Sequence, residues 1–232
     1  MNERLFVFFV TRDMNERSYP ERGRMADPLS TKGDQARAEI LEAARRLFVS
    51  QGYHGTSMRA IAREAGGRAV AGLYNHFPTK EAIFRALIEE RNPYDDLFAV
   101  LEAALADART APDFIRAALR QMLEIMPRHY DFLQLAQIDL REFGGQFVGA
   151  VLERTAFPRA LALVQRVQAL PGLKPVDSVV WLRLLASLVI GFMVTDQIAA
   201  SFSIFGQYTH EEWAAQFANL LIQGVGDPGA TR

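Results

Sequence analysis

A chain of 232 residues, half of them hydrophobic, is long enough to bury its own core and to fold without help from a metal or a disulfide. Zero cysteines exclude thiolate catalysis, disulfide frameworks, cysteine-based zinc sites and cysteine redox sensing. The formal net charge of -1 hides an asymmetry: residues 1–92 hold 15 Lys and Arg against 12 Asp and Glu, net +3, while residues 93–232 hold 11 against 15, net -4. A basic front and an acidic back are compatible with nucleic-acid binding at one end.

Residues 1–33 mix charges, contain Pro20, Pro28 and two glycines, and keep no helical period, so they read as a flexible arm. Met-Asn-Glu-Arg occurs at Met1 and again at Met14, and Met14 and Met25 are alternative start points. The apolar run 5–10 is shorter than a signal-peptide core of roughly 7 to 15 residues, so export is not expected and a cytoplasmic location is.

From Asp34 the pattern turns helical: Ile40, Ala44, Leu47 and Phe48 share a face, and Gly52 stands as the stop. Thr56 or Ser57 caps a second helix, whose Met58, Ile61, Ala62 and Ala65 fall at i, i+3, i+4 and i+7 before Gly66-Gly67 breaks it. Val70, Leu73, Tyr74 and Phe77 repeat the spacing and place Tyr74 partly in the core, and Pro78 ends the third helix early. Thr79 caps a fourth, Glu81 suits its positive end, and Ile83, Phe84, Leu87 and Ile88 form its buried stripe up to Pro93.

Helices are then expected over 94–108, 112–127, 130–143, 146–170, 177–202 and 210–224, the last opening on a Thr209/Glu212 capping box. No strand-like alternation intervenes, so the fold class is all-α. The uncharged run 184–195, bounded by Arg183 and Asp196, is 12 residues where a membrane span needs about 20, and reads as a buried helix. The expected organisation is an arm (1–33), a helix-turn-helix unit (34–80), a helical-bundle part (81–226, with 79–92 connecting) and a tail (227–232).

Two short helices at a glycine-containing turn make a helix-turn-helix, whose second helix enters the major groove of DNA. Thr56-Ser57-Met58-Arg59-Ala60-Ile61-Ala62-Arg63-Glu64-Ala65-Gly66, followed by Leu73-Tyr74-Asn75-His76-Phe77-Pro78-Thr79-Lys80-Glu81, resembles the DNA-binding signature of the tetracycline-repressor (TetR) family. Ile40-Leu41-Glu42-Ala43-Ala44-Arg45-Arg46-Leu47-Phe48, ending at Gly52-Tyr53, is similar to the family's first helix. The match covers about 50 residues, and beyond Arg91 only length and helical content agree.

The resemblance implies that Thr56 and Ser57 at the start of helix two, with Tyr74, His76 and Lys80, lie against phosphates, while the outer side of helix three faces bases. A helix N-terminus with free backbone N–H groups suits such phosphate contacts, which position without reading sequence. One departure stands out: Gly66 to Tyr74 is eight residues where the family pattern has seven, so the turn holds one more. Counting back from Tyr74, the exposed candidates are Arg68, Ala69, Ala71, Gly72 and Asn75, of which Arg68 and Asn75 have the reach to discriminate bases.

The resemblance further implies a homodimer on a two-fold operator and release by a small apolar effector. The helix over 177–202 is apolar nearly all round and needs cover on more than one side. With the 210–224 helix it offers Leu182, Leu185, Val189, Phe192, Trp213, Phe217, Leu220 and Leu221 as a dimer interface. Phe114, Met122, Met126, Phe132, Phe143 and Phe147 are the candidate lining of an effector pocket. Gly-x-Ser-x-Gly, Gly-x-x-x-x-Gly-Lys and His-Glu-x-x-His motifs are absent, and His54, His76, His129 and His210 are scattered. No catalytic residue, metal, cofactor or membrane partner is therefore expected. The competing reading is a helical dimeric sensor or protein-interaction module that does not bind DNA.

Overall fold

The computed structural model describes residues 32–199 and 207–225. The expectations for the arm up to residue 31, for the end of the 177–202 helix and for the tail lie outside these residues. The chain divides between Ala38 and Glu39 into two compact units. Of the first, only the opening turns of a helix are described; the apolar cores and the candidate site lie within the second.

The elements are α1 (Lys32–Gly55), α2 (Met58–Glu64), α3 (Val70–Tyr74), α4 (Lys80–Arg91), α5 (Tyr94–Asp107) and α6 (Ala111–Ile125), then a 3-10 turn (Met126–His129). They continue with α7 (Tyr130–Phe143), α8 (Gln146–Val151), a π turn (Leu152–Ala156), α9 (Phe157–Gln168), α10 (Ser178–Ala199) and α11 (His210–Val225). No strand occurs among the described residues, and the fold is all-α as the sequence predicts.

Local chemistry sets the boundaries. Gly52 takes φ +75° and interrupts α1, a conformation that glycine adopts without a Cβ penalty. Ser57 caps α2 by accepting from the Ala60 N–H, and Thr79 caps α4 by accepting from the Ala82 N–H. The predicted box before α11 forms: the Thr209 N–H donates to Glu212 Oε2 at 2.7 Å and the Glu212 N–H to Thr209 Oγ1 at 3.2 Å. Two helices come out shorter than predicted. Pro127 lies in the 3-10 turn that closes α6, and the single helix expected over 146–170 is divided by the π turn just ahead of Pro158. Proline has no N–H to donate and crowds the carbonyl four residues back, so an unbroken ladder cannot pass through it.

Two apolar cores result. The first joins Ile40 and Phe48 of α1, Ile61 of α2, Leu73 of α3 and Ile83, Phe84, Leu87 and Ile88 of α4 to Phe132, Leu135 and Ile138 of α7 and Phe147 and Val151 of α8. The core under the first four helices thus runs past residue 80. Asp139 makes this possible: it is fully buried, and its carboxylate accepts the N–H groups of Val148 (2.8 Å) and Phe147 (3.4 Å), acting as the missing cap of α8. Phe143 and Phe147 then meet Phe84 at ring distances of 5.3 and 6.0 Å. The second core gathers α5, α6, α9, α10 and α11 around Leu119, Leu123, Trp181, Met193 and Ala218.

The run 184–195, expected as a buried helix, is covered on one side only within a single chain. Trp181, Val189 and Met193 face the second core, but Val179, Val180, Leu184 and Ile190 are exposed. Ser178–Asp196 is long and apolar enough to cross a membrane by length and composition alone. A single chain covers one side of this helix, whereas its composition is suited to cover on two.

Candidate nucleic-acid interface

The turn between α2 and α3 explains the extra residue. Gly66 and Gly67 stand in succession at φ +85° and +69°. The Gly67 N–H donates to the Arg63 carbonyl and the Arg68 N–H to the Ala62 carbonyl, both at 2.9 Å. The usual glycine closure of a helix reaches five residues back, and this one reaches six. Two left-handed residues in a row absorb the added length.

α3 has five residues, and only Leu73 is fully buried, with Val70 half-buried. Phe77 follows the helix and enters the core, the N–H groups of His76 and Phe77 both donating to the Leu73 carbonyl at 3.0 and 2.9 Å. Tyr74, placed partly in the core by periodicity, is instead 52% exposed. A helix this short buries one position, and Tyr74 lies at the margin of that face. The outer surface consists of Ala69, Ala71, Tyr74 and Asn75, with Gly72 and His76 partly covered. Ser57 is exposed at the head of α2.

Two side chains expected at the phosphates belong to the scaffold. Thr56 is 2% exposed, and its hydroxyl donates to the Gly52 carbonyl at 2.9 Å. Lys80 Nζ donates to the carbonyls of Tyr53 and Thr56, each at 2.7 Å, and lies 4.1 Å from the centre of the Tyr53 ring. Burial holds its pKa below the usual lysine value, with the nearby Glu142 charge opposing the shift. The physical reason for both departures is the α1–α2 turn, whose carbonyls point at the start of α4 and need donors. Arg68 also folds back: its guanidinium pairs with Glu39 of α1, and its Nε is buried without a hydrogen-bond partner.

Arg59 and Arg63 escaped sequence reasoning. Both are exposed on α2, and neither forms an ion pair among the described residues. Taking the side opposite Ile61, Ala62 and Ala65 would have found them. Neighbouring Glu64 is paired with Arg46 of α1 at 3.2 Å, which leaves this face positively charged.

The six effector candidates do not share one wall. Phe114, Met122 and Met126 lie in the second core, Phe132 and Phe147 in the first, and Phe143 packs against the first. An open cleft of about 530 Å³ between α6 and α11 is lined by none of the six, and another of about 240 Å³ between α4 and α8 by Phe147 alone among them. Among the eight dimer candidates, Val189 faces inward at 4% exposed and Leu220 outward at 66%; Leu182, Leu185, Phe192, Trp213, Phe217 and Leu221 are half-buried. Val180, Leu184 and Ile190 form the outer stripe of α10 that the sequence reading left unnamed. No group of side chains able to hold a metal occurs among the described residues.

Residues 40–87 match the family described as "Bacterial regulatory proteins, tetR family". The HTH-type transcriptional repressor AcnR of Corynebacterium efficiens is 34% identical over 100 residues, 43% of this chain and 46% of that protein. The HTH-type transcriptional regulator UidR of Escherichia coli is 39% identical over 64 residues, 28% of this chain and 32% of that protein. The chain therefore spans about half the length of the first of these curated relatives and about a third of the second. Over nearly its whole length the fold is that of a tetR-family bacterial regulatory protein from Rhodococcus RHA1, with a TM-score of 0.63, 22% identity and coverage of 85% of this chain and 98% of that one. The likeness to the tetR family is thus carried by sequence over residues 40–87 and by fold alone over the rest of the matched length.

Proposed function

We propose that this protein is a ligand-responsive transcriptional repressor that binds a two-fold symmetric operator as a homodimer and is released by a small apolar effector. The observation that carries the reading is the outer face of α3. Ala69, Ala71, Tyr74 and Asn75 are exposed there while Leu73 is fully buried, so the helix is held from behind and open in front. In this reading Ser57, Tyr74 and His76 meet phosphates, and Ala69, Ala71, Gly72 and Asn75 face base edges. Arg59 and Arg63 add positive charge along the same path.

The outer stripe of α10, Val180, Leu184 and Ile190, with Leu220 of α11, is the surface the second copy covers. The effector enters the second core, where Phe114, Met122 and Met126 supply a deformable apolar wall. It favours a separation of the two reading heads that does not fit the operator, and operator DNA must then weaken effector binding by the same factor.

Binding-site selection on random duplex DNA tests the proposal. A palindromic consensus, bound by a dimer in sedimentation, is the expected result. Recovery of no consensus, with no shift of the gene's own upstream region, supports the DNA-independent sensor instead.

A further inference from the structure

The extra residue in the turn loosens the link between α2 and α3, since two consecutive glycines carry it and nothing lies within 4 Å of where a Cβ would stand on either. Glycine restricts its backbone least of all residues, so such a link does not by itself fix the angle of the reading helix. Leu73 and Phe77 seat α3 on the core and two backbone bonds close the turn, and side chains flanking the turn can add to what holds its angle.

Two ion pairs reach from α1 to the two sides of this turn. Arg46 meets Glu64, the last residue of α2, at 3.2 Å, and Glu39 meets Arg68, the residue before the Ala69 cap of α3. Glu39 and Arg46 lie seven residues apart on α1, two helical turns, and so on the same side of it. The Arg68 side chain is 36% exposed, its Nε is enclosed by protein, and its N–H closes the turn on the Ala62 carbonyl. Its guanidinium is thus held at the rear of the turn.

We propose that Glu39 and Arg68 form a staple that sets the angle of the reading helix, making Arg68 a positioning residue of the operator site rather than a reader of bases. This rests on the DNA-binding reading above. The staple substitutes for the stiffness that a shorter turn would provide, and its two members act as one unit.

The test uses the full-length protein with Glu39→Gln, Arg68→Gln, the double variant and the charge swap Glu39→Arg with Arg68→Glu. Each is measured for affinity to the selected operator, for preference among its single-base variants and for salt dependence. Exchange of the Arg68 amide is followed without DNA. The two single variants are expected to weaken binding by a common factor of about 2 to 5, the range a partly exposed ion pair allows. The double variant is expected to be no weaker than either single one, and the swap to recover most of the loss. Base preference and salt slope stay those of the wild type.

Two results overturn the proposal: additive losses, or a changed base preference or salt slope on Arg68→Gln while Glu39→Gln binds as well as wild type or better. If wild-type protein selects no DNA, the DNA-binding reading fails and amide exchange still decides. Faster exchange in both single variants, restored by the swap, supports the staple, and unchanged exchange refutes it.

Discussion

Replacing Lys80 with methionine keeps most of the aliphatic stem and removes the charge, so it isolates what the ammonium does. Two charge-assisted hydrogen bonds to the Tyr53 and Thr56 carbonyls disappear, together with the contact to the Tyr53 ring. Bonds of this kind are worth about 1.5–3 kcal/mol each, and a cation over an aromatic face about 0.5–1 kcal/mol at an exposed site. Lys80 is half-buried, so water takes over part of the lost bonding. The net cost is therefore about 2 kcal/mol, which for a chain of this size lowers Tm by about 4–8 °C. Thermal unfolding followed by circular dichroism reads the loss, and operator titrations over a range of salt read the second half of the prediction. A structural lysine leaves the salt slope unchanged, whereas a phosphate anchor lowers it by about 0.9. Wild-type melting combined with a reduced slope would return Lys80 to the DNA and sink the scaffold reading.

Gly67→Ala forces a Cβ onto φ +69° and is expected to cost about 1–2 kcal/mol, visible in chemical denaturation; a neutral result means the turn relaxes freely. Ile190→Glu puts a charge in the outer stripe of α10 and should shift sedimentation from dimer to monomer at micromolar concentration, and an intact dimer would place the interface elsewhere. At Glu42, burial opposes ionisation, but the hydrogen bond from Arg45 and the charges of Arg45, Arg91 and Arg46 outweigh it and hold the pKa below the usual 4.5. The folded value lies below the unfolded one, so this stabilisation is present above about pH 4.5 and fades as pH falls through the folded value. Acid unfolding of Glu42→Gln should accordingly be shallower than that of wild type across this window, and parallel curves would show that Glu42 contributes nothing.

Periodicity located α1 to α4 because their inward positions are unambiguous: Ile40, Phe48, Ile61, Leu73 and Phe84 are all fully buried. Caps were equally legible, since Ser57, Thr79 and Thr209 act over three residues of sequence. What the pattern could not show is where a polar group turns once neighbours are in place. Lys80 has the charge for a phosphate, yet two carbonyls 27 and 24 residues earlier in the chain claim it first. Arg68 has the reach for a base, and Glu39, 29 residues away, takes it. Val189, a candidate for the dimer interface, faces the core while Ile190 is exposed, and the pattern could not tell them apart because a helix apolar all round carries no phase.

The sharing of Phe132, Leu135, Ile138 and Phe147 with the first core bears on how such proteins are recombined. A chimera cut after Arg91 takes α1 to α4 away from the wall that seals them and lays Phe84 and Leu87 open to water, and one cut after residue 80 parts α1 to α3 from α4 as well. Such a graft keeps its reading surface and loses its floor. The host must supply, from its own counterpart of α7 and the Asp139 corner, aromatic side chains of matching size. Under the DNA-binding function proposed above, exchange of specificity between relatives is governed less by the residues on the outer face of α3 than by complementarity on the side turned away from it. The portable unit is the head together with residues 130–151, two segments that have to travel as a pair although some 40 residues separate them in the chain.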